Sequence, residues 1–149
     1  MKPTVLVIDD NEATRTLIMA VLQREFAIET ATDGREAIEK LRTNQYAAIL
    51  LDLRMPLQDG FGVLDFLKAN SPERLRTVLV VTALLTKREI ERAESFGVCG
   101  IIAKPFDVED LLNAVKQCVG DTDGGRLGGV FCSPVILLIA DLLRQFQPR

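Results

Sequence analysis

The sequence predicts an α/β fold, a doubly wound five-stranded parallel sheet in the order 2-1-3-4-5 sandwiched between two layers of helices. Three observations lead there. Short, continuously apolar runs recur along the chain, and runs of that kind are strands buried on both faces of a parallel sheet. Between them lie longer segments whose apolar residues fall on one helical stripe. The best-defined run, residues 47–51, stops on Asp52 and is bounded by the breakers Pro56 and Gly60, which marks a strand and not a surface helix. Strictly alternating strand and helix, joined by right-handed crossovers, leaves few other arrangements.

Taken in order, Thr4–Ile8 is β-branched and apolar and reads as a central strand that ends on Asp9 and Asp10. Asn11 is placed to cap a helix with Leu17, Ile18, Val21 and Leu22 inward and Arg15, Gln23 and Arg24 toward water. Ala27–Ala31 reads as a short edge strand. Asp33 and Glu36 have the spacing of a capping box, and Ala37, Ile38 and Leu41 give the second helix its inner face. The strand that ends on Asp52 follows from Tyr46. Asp59 and Gly60 read as turn chemistry, after which Val63, Leu64, Phe66 and Leu67 line a helix running to about Asn70, where Ser71 and Pro72 stop it. Residues 77–81 form the fourth strand, which ends on Thr82. Thr86 and Glu89 make a second capping box, but the helix behind them offers little apolar surface beyond Ile90, Ala93 and Phe96, so it should be loosely held. Gly100–Ala103 is a fifth strand ending on Lys104 and Pro105. Asp107 caps a last helix with Val108, Leu111, Leu112, Val115 and Val119 inward.

With 149 residues the chain holds one domain, residues 1–119, and a remainder. Residues 120–129 contain five glycines and no periodicity, so they read as a flexible linker. In residues 130–149, Ser133 and Pro134 start an apolar helix whose stripe is Val135, Leu138, Ile139, Leu142, Leu143 and Phe146. Such a face needs a partner, yet the segment is too short, and too interrupted by Asp141, for a membrane span. A homodimer contact through this helix is expected, with the start of a truncated output domain as the alternative.

A net charge of -3 and a pI near 5.1 provide no basic footprint, so direct nucleic-acid binding is not expected. The amino terminus lacks an apolar run of signal-peptide length, and the expected location is cytoplasmic, with no membrane association. Cys99, Cys118 and Cys132 are odd in number and lack paired metal spacing, which suits reduced thiols. The chain contains no His, which removes Ser-His and Cys-His catalysis and histidine metal ligands.

Asp9, Asp10, Asp52, Thr82 and Lys104 come from four different strands, yet each lies at a carboxyl end, so the predicted fold brings them to one edge of the sheet. Three carboxylates there repel one another by roughly 4 kcal/mol per close pair at an effective dielectric near 20, and Lys104 cannot balance them all. Oxygen ligands without His or Cys select a hard divalent ion, and a site that awaits a phosphate suits Mg²⁺. A carboxylate beside Mg²⁺, a lysine and a threonine hydroxyl is equipped to attack a phosphoryl group and become an aspartyl phosphate.

These residues resemble a known family. Asp9-Asp10 after the first strand, Asp52 with Met55-Pro56 and Asp59-Gly60, Thr82-Ala83, and Lys104-Pro105 are similar to the motifs of the response-regulator receiver domain of two-component signalling. The resemblance covers residues 1–119 and implies a flavodoxin-like, CheY-like fold with Asp52 as phosphoacceptor. It further implies that Asp9, Asp10, Asp52 and the Arg54 backbone carbonyl bind Mg²⁺, that Thr82 is the switch hydroxyl, and that Lys104 partners the phosphoryl group and the carboxylate. The donor it implies is a histidine kinase or histidine phosphotransfer protein, and the Lys104–Pro105 bond is expected to be cis. The receiver so implied is a signalling acceptor that catalyses at most its own phosphorylation and dephosphorylation. One position departs from the pattern, because the family commonly places Tyr or Phe where this chain has Ile101, and an aliphatic side chain has no hydroxyl to rearrange. Two alternatives follow: a pseudo-receiver that ignores phosphorylation, suggested by Ile101, and a haloacid-dehalogenase-type phosphohydrolase, which needs an Asp where Asn11 stands.

Overall fold

The computed structural model describes residues 2–55, 59–83 and 86–120. Five strands, β1 (Thr4–Ile8), β2 (Ala27–Ala31), β3 (Ala48–Leu51), β4 (Val78–Thr82) and β5 (Gly100–Ala103), form one parallel sheet in the order β2-β1-β3-β4-β5. The helices α1 (Glu12–Leu22), α2 (Gly34–Thr43), α3 (Gly60–Asn70), α4 (Lys87–Ser95) and α5 (Val108–Gly120) alternate with them, as the sequence predicts. Gly120, expected to open the linker, is the last residue of α5; the rest of the linker, the apolar stripe from Val135 to Phe146, and Cys132 lie outside the described residues, as does Pro56.

Period-two alternation along each strand divides the core between the two faces of the sheet. On one face Leu6, Ile8, Ile49, Leu51, Val80 and Ile101 pack with α2, α3 and α4. On the other, Val5, Val7, Leu50, Leu79 and Ile102 pack with α1 and α5. β1, β3 and β4 are central strands and are buried almost throughout, which is why their sequences are unbroken apolar runs.

Several local expectations are corrected. Leu17 and Val108 are each 46% exposed, because a stripe drawn on a helical wheel includes flank positions that the flat sheet does not cover. The inner face of α5 is Leu111, Ala114, Val115 and Cys118, with Leu112 and Val119 partly buried against the same core, so of the residues expected inward Val108 alone turns outward. Asp33 does cap α2, accepting the Glu36 N–H at 2.8 Å, but the Glu36 carboxylate reaches past it to the N–H and hydroxyl of Thr32. Thr77 belongs to a 3-10 helix, Pro72–Thr77, and not to β4. Arg74 of that short helix is buried, and its guanidinium donates to the carbonyls of Leu41 (2.8 Å) and Asn44 (2.9 Å), which occupy the end of α2. Cys99 and Cys118 are joined in a disulfide with Cα atoms 5.8 Å apart, against the expectation of reduced thiols. They share no motif spacing, and the fold brings them together: Cys99 directly precedes β5, and Cys118 lies near the end of the α5 helix that packs back across the sheet.

Candidate functional site

The site is built at the carboxyl edge of the sheet by Asp9, Asp52 and Lys104, each one step beyond a strand, by Asp10 one residue further on, and by Thr82, the last residue of β4. Backbone hydrogen bonds continue the ladder past each strand end: Asp9 N–H to Ala31 O (3.1 Å), Asp52 N–H to Ile8 O (3.0 Å) and Lys104 N–H to Thr82 O (2.9 Å). Asp9, Asp52 and Lys104 are therefore each fixed through their own backbone. The Lys104–Pro105 peptide is cis, as expected.

The Asp52 carboxylate is buried and fully engaged. Its Oδ1 accepts the Thr82 hydroxyl at 2.8 Å and the Arg54 N–H at 3.0 Å, while Oδ2 lies 3.2 Å from Lys104 Nζ. Asp9 is also buried, with Oδ2 at 2.6 Å from Lys104 Nζ and Oδ1 accepting the Asn11 N–H at 2.9 Å. Asp10 is exposed, yet Asp9, Asp10 and Asp52 each offer a carboxylate oxygen, and these atoms lie within 4.8 Å of one another. All five side chains predicted to converge do so.

Burial pushes the Asp9 carboxyl above its ordinary value; the Lys104 hydrogen bond and the Asn11 N–H oppose the rise, and the Asp52 charge adds to it. For Lys104, burial alone would lower the ammonium. Its hydrogen bond to Asp9 and the charges of Asp52 and Asp9 outweigh that effect, so the lysine is held above its ordinary value and is cationic at neutral pH. One ammonium facing three carboxylates leaves the edge short of positive charge, and the all-oxygen donor set fits a hard divalent cation.

Three contributors escaped the sequence reading. Arg15, expected to face water, donates from Nη1 to the Asp9 carbonyl at 2.8 Å and ties α1 to the end of β1. Gly60 does more than make a turn, because a Cβ there would meet Asp52 O at 2.5 Å and Leu53 Cα at 2.6 Å, so only glycine lets α3 start this close to the Asp52 loop. Asp59 caps that helix, accepting the Gly62 N–H at 3.0 Å. The third is Glu89, which receives the Arg54 guanidinium. Its place in a capping box was legible, and its long-range partner was not. Ile101, at the position where the resemblance leads one to look for an aromatic ring, is fully buried in the core on the α4 side of the sheet.

Comparison with known proteins agrees with this geometry. The transcriptional regulatory protein SrrA of Staphylococcus aureus is 35% identical over 125 residues, a match spanning 82% of this chain and 50% of SrrA. The chain thus spans about half the length of the curated relatives it matches. The receiver domain of the Francisella response regulator 1452 superposes with a TM-score of 0.73 at 27% identity, covering 82% of this chain and 100% of that one. The Vibrio cholerae chemotaxis protein CheY4 gives a TM-score of 0.72 at 28% identity, over 79% of this chain and 99% of its own. Among the described residues no helix is long and apolar enough to cross a membrane. The family model described as the response regulator receiver domain matches residues 5–116, and the chain belongs to that family of two-component signalling proteins.

Proposed function

We propose that Asp52 accepts a phosphoryl group from a phosphohistidine on a histidine kinase or histidine phosphotransfer protein, and that the modified aspartate switches a partner-binding face. The observation that carries this reading is the engagement of the Asp52 carboxylate by Lys104 on one oxygen and by the Thr82 hydroxyl on the other, at the sheet edge shared with Asp9 and Asp10. Asp9, Asp10, Asp52 and the Arg54 backbone carbonyl would hold Mg²⁺. Bound there, Mg²⁺ supplies charge neutralisation between the carboxylates and the incoming phosphoryl oxygens.

A carboxylate oxygen of Asp52 attacks phosphorus in line, the P–N bond to the donor imidazole breaks, and that imidazole leaves carrying its electron pair and takes up a proton. Lys104, kept cationic by its two carboxylate partners, balances charge on the transferred group. The Thr82 hydroxyl, which donates to Asp52 Oδ1, is placed to donate to a phosphoryl oxygen instead. The name of SrrA, a transcriptional regulatory protein, supports gene regulation as the process that such a switch would serve.

Incubation with acetyl phosphate and Mg²⁺ should yield a single base-labile adduct by intact mass. Asp52→Asn should abolish it, and chelator should suppress it because the bare carboxylates repel a phosphoryl donor. An adduct that maps to Asp9, Asp10 or Asp59, or undiminished labelling in chelator, would refute the assignment.

A further inference from the structure

The Arg54 side chain leaves the site and reaches α4. Its Nη2 donates to both carboxylate oxygens of Glu89, at 3.1 and 2.9 Å. Glu89 is not an ordinary surface acid. It is the third residue of α4, where its Oε2 accepts the Thr86 N–H at 3.0 Å while its own N–H donates to the Thr86 hydroxyl at 3.2 Å. At the other end of the connection, the Arg54 N–H is bonded to Asp52 Oδ1. One carboxylate therefore links the Asp52 loop to the first turn of a helix that buries only Ile90 and Ala93.

We infer that the Arg54–Glu89 pair is a latch that couples the state of Asp52 to the first turn of α4. This rests on the phosphoacceptor reading of Asp52. With Asp52 unmodified, the guanidinium is bonded to Glu89, and α4 is tied to the loop. A phosphoryl group on Asp52 places a second anion, of higher charge and with geometry that suits a guanidinium, two residues from Arg54. Arg54 then divides its time between Glu89 and the phosphoryl oxygens, and the first turn of α4 keeps its cap and the packing of Ile90. Because coupling is reciprocal, whatever weakens the hold of Glu89 on Arg54 also favours the modified aspartate. The route bypasses residue 101, where this chain has a buried Ile in place of a ring that could rearrange. Arg54 and Glu89 are positioning residues in this scheme.

The test uses the full chain and follows amide exchange of residues 87–90 with and without acetyl phosphate and Mg²⁺, beside intact mass. Wild type should exchange faster in this turn once labelled. Arg54→Met, which leaves the Thr86 capping box intact, should raise exchange of the unlabelled protein by about threefold, the scale of a half-exposed ion pair, and should shrink the response to labelling. Glu89→Gln should add little further exchange in the Arg54→Met background, and Arg54→Lys should restore part of the wild-type response. Unchanged exchange in unlabelled Arg54→Met overturns the tie. An undiminished response in labelled Arg54→Met overturns the coupling. Failure of wild type to label at all overturns the phosphoacceptor reading and the coupling with it, while exchange of the unlabelled variants still decides whether the tie exists.

Discussion

α3 and α4 lie on the same face of the sheet and are attached by opposite means. α3 buries Gly60, Phe61, Val63, Leu64 and Leu67, so its position is set by close packing. α4 buries Ile90 and Ala93 alone. Among the described residues, its rim adds polar and ring contacts: Glu89 to Arg54, the Arg92 guanidinium 4.0 Å above the centre of the Phe61 ring, and, at Phe96 just past its end, the Lys68 ammonium and the Phe61 ring. Packing resists small displacements because any shift opens voids. Polar contacts at a wet rim can be exchanged one for another at little cost. On the proposed phosphoacceptor reading, a domain that keeps the Asp52 edge rigid and yet presents a changeable surface gains from having both.

The largest effect should separate the two helices directly. Leu64→Ala in α3 should cost about 2–5 kcal/mol in urea unfolding, the usual range for a fully buried leucine. Ile90→Ala in α4 removes an equally buried side chain but should cost less. Its loss is capped by the free energy needed to detach α4, since a native core with α4 undocked no longer depends on Ile90. Equal losses would mean that α4 belongs to the same cooperative unit as α3, and the comparison would break.

The glycines that bound these helices offer a second test. Gly60→Ala should cost about 1–3 kcal/mol, because two backbone atoms of the Asp52 loop stand where the Cβ must go, and labelling of Asp52 should slow as the loop shifts. Gly97, just past the end of α4, has open space around it but a φ of 79°. Its replacement by Ala should cost only about 1 kcal/mol, the penalty of the left-handed conformation, and should leave labelling unchanged. Slower labelling in both variants would show that the two glycines do not differ in the way their surroundings imply.

The parts of this molecule that were legible in its sequence are those with a local signature. Runs such as Thr4–Ile8 and Gly100–Ala103 are apolar because the strands are covered on both faces, and each stops on a polar residue at the carboxyl edge of the sheet; strand order and the five converging side chains follow from that pattern. The capping box at Thr86 was equally plain. Features that depend on what another element brings near were not. Arg15 looks like a solvated helix residue until the Asp9 carbonyl is found beneath it, and Arg74 shows no local sign that it will be buried against the end of α2. Cys99 and Cys118 are paired by the packing of α5 on the sheet and not by spacing. The small buried face of α4 is legible in its few apolar residues, but Arg54 and Phe61, which contact its rim, come from distant parts of the chain.

The smallest effect tests that rim. Arg92 is exposed, and its guanidinium covers one side of the Phe61 ring, which is 7% exposed at the start of α3. A cation over an aromatic face at an exposed site contributes about 0.5–1 kcal/mol, and the guanidinium also shields apolar ring surface from water. Arg92→Ala should therefore lower global stability by less than about 1 kcal/mol, a small change in a urea midpoint. The informative readout is local. If α4 is held by its rim, amide protection should fall along Lys87–Ser95 and stay unchanged along Gly60–Asn70, because Phe61 keeps its packing within the core. Arg92→Lys should recover part of the protection, since the charge remains while the planar stack is lost. Equal loss of protection in the two helices would assign the Arg92–Phe61 contact to α3 as much as to α4, leaving the Arg54–Glu89 pair as the polar restraint that distinguishes α4.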